Sequence, residues 1–490
     1  MPVSSSIYSD SLALHTDLYE LTMAYGYWKS GLADREAIFH LYFRESPFDG
    51  GYTVAAGLEF VHDYLDSYGF DEEDISYLET LRGNDGSEMF EPAFLDYLSD
   101  LDFRCDVDAV PEGTVVFPQS PLVRVRGPII QAQLLETALL NTINFQTLIA
   151  TKAARVCQAA EGDPVLEFGL RRAQGVDGGL SVSRAAYIGG ASGTSNVLAG
   201  KVYGIPVKGT HAHSWVMCFD SELDAFLAWA EAMPNNCIFL VDTYDTLEGV
   251  DRAIEVGRKL RDEGHEMVGI RLDSGDLAYL SIEAREKLDQ AGFEDAAIVA
   301  SSDLDEHIIK SLKDQGATIT HWGVGTKLAT AYDQPALGGV YKLAAVRDDG
   351  EQWVPKVKLS EQAIKTSTPG QLQTRRFELD GEYRGDMIYD ERMEMADEPV
   401  IVDPTDMTRR KVFDDTFESE DLLVPVFRRG ESVYELPELD AIRERTADQL
   451  AGFHSGIKRF VNPHEYPVGL ERRLHELKTQ LILEARGFEE

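Results

Sequence analysis

The clearest pattern near the start of the chain is helical. Residues 12–30 place apolar groups at helical spacing, and Gly31 follows as a stop. Val107-Asp108-Ala109-Val110-Pro111-Glu112-Gly113, followed by Val115-Val116-Phe117, predicts strand, turn and strand. Residues 130–158, opening Ile130-Gln131-Ala132-Gln133-Leu134-Leu135, predict a strong helix. Residues 1–160 therefore read as an α+β unit.

From about residue 165 the pattern changes. Short apolar runs at 165–168, 205–208, 237–242, 267–272, 296–300, 318–323 and 339–346 end in polar or glycine-rich turns, and helical stretches follow most of them. Continuous apolar strands alternating with helices imply a parallel sheet covered on both faces. About seven such units favour a barrel, and an incomplete one, over an open doubly wound sheet. Residues 347–435 lose this rhythm, with Asp348-Asp349-Gly350 and Asp380-Gly381 as hairpin turns, and a helical tail spans 467–486. The predicted fold class is α/β. An incomplete α/β barrel occupies 161–346, and a second α+β domain combines 1–160 with the β-rich segment and helical tail of 347–490, packed back on the first.

Charge narrows the choice of partners. The 490 residues carry 46 basic and 85 acidic side chains, a net charge of −39. Such a surface repels nucleic acid and anionic membranes, so neither is an expected partner. Self-repulsion of this size is relieved by salt, and the composition is that expected of a protein from a salt-rich cytoplasm, a halophile. With 43% hydrophobic and 27% charged residues the chain is globular, not fibrous or disordered. The four cysteines, Cys105, Cys157, Cys218 and Cys237, form no C-x-x-C pair, which fits a reducing compartment. No basic and apolar leader opens the sequence, and no stretch reaches the ~20 apolar residues that span a bilayer. A soluble cytoplasmic protein is expected.

In parallel α/β folds the polar residues at the carboxyl ends of strands build the active site. Those ends read Glu167-Phe168-Gly169-Leu170-Arg171-Arg172, Gly209-Thr210-His211-Ala212-His213, Asp242-Thr243-Tyr244-Asp245, Arg271-Leu272-Asp273-Ser274-Gly275-Asp276, Ser301-Ser302-Asp303, Gly323-Val324-Gly325-Thr326-Lys327 and Tyr341-Lys342. Glycines and small hydroxyls let backbone approach phosphate, arginines and lysines neutralise it, and aspartates can hold hydrated Mg²⁺. On so acidic a chain, basic groups gathered at strand ends point to a phosphorylated substrate. The H-x-H pair, His211 and His213, has two functional readings: metal ligands, or a nucleophilic or proton-transferring histidine. A hydrogen-bonded core histidine is the plain reading for one of them, and His211 is the one expected to take it. Phe168 and Arg171 together suit a planar anion such as a pyridine carboxylate.

Taken in order, these strand ends resemble the nicotinate phosphoribosyltransferase family. The resemblance is carried by His15-Thr16-Asp17-Leu18-Tyr19-Glu20-Leu21-Thr22-Met23, Glu167-Phe168-Gly169-Leu170-Arg171-Arg172-Ala173-Gln174, Gly190-Ala191-Ser192-Gly193-Thr194-Ser195-Asn196, Gly209-Thr210-His211-Ala212-His213-Ser214-Trp215, Arg271-Leu272-Asp273-Ser274-Gly275-Asp276-Leu277 and Gly323-Val324-Gly325-Thr326. Gly338-Gly339-Val340-Tyr341-Lys342-Leu343 and Lys358-Leu359-Ser360-Glu361 continue it. It implies the type II phosphoribosyltransferase fold and synthesis of nicotinate mononucleotide and pyrophosphate from nicotinate and 5-phosphoribosyl 1-diphosphate, an NAD salvage reaction. It also implies coupled ATP hydrolysis with Mg²⁺, and a homodimer with a shared active site. By position, His213 would be the histidine phosphorylated by ATP. Phe168, and Tyr19 from the partner subunit, would sandwich the pyridine ring, with Thr210 lining the pocket beside Gly209. Arg171 and Arg271 would meet the carboxylate or a nearby phosphate. Gly323, Gly325 and Thr326 would cradle the 5′-phosphate, Asp242 and Asp273 would order ribose hydroxyls or Mg²⁺, and Ser301 would bind substrate. Related nicotinamide enzymes carry an aspartate at the place of Ser195, so the serine implies nicotinate.

Other readings stand beside this one. A nicotinamide or quinolinate phosphoribosyltransferase would share the fold. A barrel metallohydrolase would use His211 and His213 as ligands, and a regulator would bind phosphoribosyl diphosphate without turnover.

Overall fold

The computed structural model describes residues 12–362, 365–395, 398–404 and 406–488. The chain divides into two units, Leu148–Pro335 and Met1–Thr147 with Ala336–Glu490.

The Leu148–Pro335 unit is built on six strands: β1 (Val165–Glu167), β2 (Gly193–Thr194), β3 (Ile238–Leu240), β4 (Gly269–Leu272), β5 (Ala297–Ala300) and β6 (His321–Val324). They lie side by side in the order β2-β1-β6-β5-β4-β3, and every pairing is parallel. Val165, Phe239, Ile270, Ile298 and Trp322 are buried, as expected of strands covered on both faces. The helices that follow β3, β4 and β5 start on aspartates. Asp245, Asp276 and Asp305 accept the backbone N–H groups of Glu248 (3.0 Å), Tyr279 (3.1 Å) and Ile308 (2.8 Å). These N-caps satisfy otherwise orphaned donors and set a negative charge at the positive end of each helix. The sheet is a barrel left open, because its order begins at β2 and ends at β3 without joining them.

Two of the seven apolar runs are not barrel strands. Residues 205–208 supply only a single parallel bridge, from Val207 to Thr194. Residues 339–346 fall in the other unit, where Gly339–Arg347 pairs antiparallel with Glu36–Phe43. An apolar run suits any strand covered on both faces, and here local contacts select the partner. The Tyr341 ring stacks on Phe39 at 4.9 Å, and its hydroxyl donates to the Ala132 carbonyl at 2.7 Å. A side chain on Gly339 would begin 2.1 Å from the amide oxygen of Asn144, which accepts the Gly339 N–H.

The split unit holds a seven-stranded sheet and a six-stranded sheet. The first mixes N- and C-terminal segments: Glu36–Phe43 lies between Gly339–Arg347 and Val123–Pro128, while Val424–Arg428 pairs with Asp106–Ala109. In the second, Leu372–Leu379 and Glu382–Asp390 form a hairpin through Asp380 and Gly381, both with positive φ (55° and 77°), as a two-residue turn requires. The predicted helix at 130–158 is broken at Leu135 into Ile129–Leu134 and Glu136–Ala160. The predicted tail begins as strand, Val468–Glu471, before the helix Arg472–Ala485. No helix among the described residues is long and apolar enough to cross a membrane.

A buried ion pair fastens the C-terminal segment to the N-terminal one. Arg376 donates to both oxygens of Asp386 (2.9 and 2.7 Å), to the Val115 carbonyl (2.8 Å) and to the Gln449 side-chain oxygen (2.7 Å). The Tyr466 hydroxyl donates to Asp386 at 2.9 Å, and Tyr383, Phe453 and Phe117 surround the guanidinium. Both charged side chains are fully buried. Removing one partner strands the other in a dry interior, at a cost of about 3–5 kcal/mol. Asp386→Ala is therefore expected to lower the denaturation midpoint steeply, and Arg376→Met with Asp386→Leu to lose much less. Equal losses in the single and double variants, measured by denaturant unfolding, would contradict this.

Candidate active site

The carboxyl end of β1 is shaped by Glu167. Its buried carboxylate accepts from the Gly169 N–H, from the Ser183 hydroxyl (3.0 Å) and from the Thr194 hydroxyl (2.6 Å). The Phe168 N–H donates to the Val324 carbonyl at 2.8 Å. These bonds lay the Phe168 ring over Gly323, where an added Cβ would stand 2.7 Å from the ring. The missing side chain of Gly323 thus makes room for the ring. Gly325 has φ −108° and ψ −101° and leads into the helix Thr326–Ala329. The Ser195 N–H is fixed to the Glu167 carbonyl at 2.9 Å, which leaves its hydroxyl at the same strand end. Arg171 is exposed in the single turn Leu170–Arg172 that follows.

His213 opens the turn His213–Met217 and is held from three sides. Its Nδ1 pairs with the Thr243 hydroxyl at 3.1 Å. Its Nε2 faces Asp242 Oδ1 at 3.9 Å and Asp273 Oδ2 at 3.8 Å. The two carboxylates are themselves tied in. Asp242 Oδ2 accepts from the Asp273 N–H (2.9 Å) and the Ser274 hydroxyl (2.6 Å), and Asp273 Oδ1 accepts from the Ser301 hydroxyl (2.7 Å). Three successive strand ends, those of β3, β4 and β5, therefore support one imidazole, β5 through Ser301 and Asp273.

Arg271 lies beside them and donates to the Thr210 hydroxyl. Burial pushes its pKa down and Arg171 adds to that, while Asp273 and Asp242 oppose it. Its Nε is buried with no hydrogen-bond partner among the described residues, and so is Asp242 Oδ1. A cation with an unmet donor and a carboxylate with an unmet acceptor mark a place where charged ligand atoms belong. Gly209 is exposed, with open space where a Cβ would stand.

The structure thus gathers Phe168, Ser195, Thr210, His213, Asp242, Arg271, Asp273, Ser301, Gly323 and Gly325 at or beside strand ends. Thr243 and Glu167 complete the arrangement and were not singled out from sequence. Thr243 follows Asp242 directly, yet its role depends on a ring thirty positions away. Asp245 is an N-cap and takes no part in the cluster. Tyr19 belongs to the other unit, exposed on the helix Leu18–Lys29. That helix is anchored by Glu20, whose buried carboxyl accepts from the Thr137 N–H (3.1 Å) and hydroxyl (2.6 Å), with its pKa raised to about 7 mainly by burial. Burial and the neighbouring Glu136, Glu20 and Asp17 push the Tyr19 phenol above its ordinary range.

The H-x-H pair does not converge as metal ligands do. His211 Nε2 accepts the Leu240 N–H at 3.3 Å, while His213 Nδ1 is engaged by Thr243. No group of three or more His, Cys, Asp and Glu side chains that could hold a metal ion occurs among the described residues. Asp242 and Asp273 do fit Mg²⁺ in another way. Mg²⁺ is commonly held by one or two carboxylates together with substrate phosphates and water, and Asp242 offers a buried unpaired oxygen.

Comparison with known proteins agrees with this geometry. The model of the nicotinate phosphoribosyltransferase (NAPRTase) family matches residues 164–380, and those of its N-terminal and C-terminal domains match 14–144 and 373–478. A nicotinate phosphoribosyltransferase of Bacillus subtilis is 46% identical, over 96% of this chain and 97% of its own length. One from Homo sapiens is 34% identical over 96% of each. A crystal structure of human nicotinic acid phosphoribosyltransferase superposes with a TM-score of 0.83 at 32% identity, covering 95% of this chain and 99% of that one. A nicotinate-nucleotide pyrophosphorylase from Pyrococcus furiosus shares the fold, with a TM-score of 0.68 at 24% identity over 90% and 95%. The open parallel barrel, the strand-end cluster and the match along nearly the whole chain place this protein in the nicotinate phosphoribosyltransferase family.

Proposed function

We propose that this protein joins nicotinate to 5-phosphoribosyl 1-diphosphate, yielding nicotinate mononucleotide and pyrophosphate for NAD salvage, and that ATP drives the reaction through a transient phosphate on His213. The observation that carries the reading is the placement of His213 between Thr243, Asp242 and Asp273, beside the unmet donor of Arg271.

A neutral imidazole nitrogen of His213 is the attacking atom. The N–P bond forms as the bond between the γ-phosphorus and the β,γ-bridging oxygen breaks, and ADP leaves. Water later releases the phosphoryl group from the imidazole as phosphate. Asp242 and Asp273 would hold Mg²⁺, which when bound offsets phosphate charge.

In the transfer step the ribose C1–O bond to pyrophosphate breaks while the pyridine nitrogen bonds to C1. That nitrogen has no proton to lose, so no general base is needed. The work is positioning and charge neutralisation. Phe168, seated on Gly323, supports one face of the ring, and Arg271 and Arg171 meet its carboxylate. Gly323, Gly325 and Thr326 approach the 5′-phosphate with their backbone. The partner subunit's Tyr19 covers the other face of the ring in a homodimer. Exposure of Leu18, Tyr19 and Met23 on one helix supports such a contact.

The test supplies nicotinate, nicotinamide or quinolinate with phosphoribosyl diphosphate and Mg²⁺, with and without ATP, and identifies the nucleotide formed. Nicotinate mononucleotide with ATP-stimulated turnover is expected. His213→Ala should lose the stimulation and keep slow transfer; full stimulation in that variant would remove His213 from the mechanism. Ser195→Asp sets a like charge near the nicotinate carboxylate and should lower kcat/KM for nicotinate at least about tenfold. Unchanged nicotinate use by that variant would contradict the selectivity argument.

A further inference from the structure

The barrel has an open seam, and one side chain spans it. On one side the last backbone contact is the bridge from Val207 to Thr194 on β2; on the other, β3 is the edge strand. Successive N–H groups of a strand point to opposite sides. The Val241 N–H turns inward to the Arg271 carbonyl on β4 at 3.2 Å, so the Leu240 N–H points out to the seam. There it meets His211 Nε2 at 3.3 Å. Leu240 is fully buried, so no water can replace this acceptor.

The imidazole is built for that task. His211 is buried, with Trp229 edge-on at 5.1 Å and Phe226 at 6.1 Å. Burial brings its pKa down to about 4; Arg271 and His213 act in the same direction, and the Ala212 carbonyl, 3.5 Å from Nδ1, opposes them. The ring is therefore neutral, with its proton on Nδ1 and a free lone pair on Nε2. His211 lies between Thr210, held by Arg271, and His213, held by Thr243.

We propose that His211 is a positioning residue, a neutral clasp across the open barrel seam that fixes loop 209–213 and so aims His213 at Thr243, Asp242 and Asp273. The role rests on His213 being the reactive histidine, but the clasp itself is measurable without it.

Three variants test the clasp. His211→Leu fills the volume and removes the acceptor. His211→Asn is polar but too short to reach the Leu240 N–H, and serves if the Leu variant does not fold. His211→Gln carries an oxygen that can reach the Nε2 position. Hydrogen exchange at Leu240 and the ATP-stimulated kcat and KM are measured in each. Leu and Asn should speed Leu240 exchange about tenfold or more and lower kcat by a similar factor, with KM for nicotinate within about twofold. Gln should restore most of both. Unchanged Leu240 exchange in the Leu or Asn variant overturns the clasp, whatever His213 does. Faster exchange with unchanged kcat overturns the positioning role. Loss of kcat that Gln does not rescue also overturns it.

Discussion

Parallel strands deliver all their carboxyl ends to one edge of a sheet, and that constraint underlies everything at the candidate site. Phe168, Asp242, Arg271, Asp273, Ser301 and Gly323 come from five different strands, yet each lies within one or two residues of its strand's last residue. The same geometry leaves the barrel open between Val207 and β3. An edge exposes backbone donors, and a buried edge needs an acceptor. The seam and the site are thus two results of one topology.

Charge decides what the site can bind. The chain carries a net charge of −39, so most of its surface repels phosphate. At the barrel mouth Arg271 and Arg171 set positive charge beside Asp242 and Asp273. The unmet donor of Arg271 and the unmet oxygen of Asp242 lie close together, which suits an anionic substrate accompanied by a cation. Burial keeps both groups out of water, where their fields are less screened. His213 stands in that field with one nitrogen toward the carboxylates and the other toward a hydroxyl.

Much of this was legible in the sequence because buried parallel strands are short continuous apolar runs with polar punctuation. The run at 339–346 misled for the same reason: its apolar texture says that both faces are covered, not which strand lies beside it. Its pairing with Glu36–Phe43 spans some 300 residues and depends on Phe39, Ala132 and Asn144. The split of the H-x-H pair into a core residue and a half-buried one was readable from their places. The acceptor role of His211 was not, because it depends on which way the Leu240 N–H points. Gly323 reads as a phosphate-loop glycine, and the fold adds a contact that sequence does not carry, the Phe168 ring lying over it. Thr243 carries no signal in the sequence, because a threonine after a strand has no chemistry until a histidine is set against it.

The central claim is that His213 carries phosphate during turnover. Incubation with Mg²⁺ and ATP labelled in the γ-phosphoryl group, followed by peptide mapping under conditions that preserve acid-labile phosphate, tests it most directly. Label on His213, lost in His213→Ala and in the presence of acid, is the predicted result. Label on another residue, or ATP-stimulated synthesis of nicotinate mononucleotide with no labelled peptide under rapid quench, would contradict it.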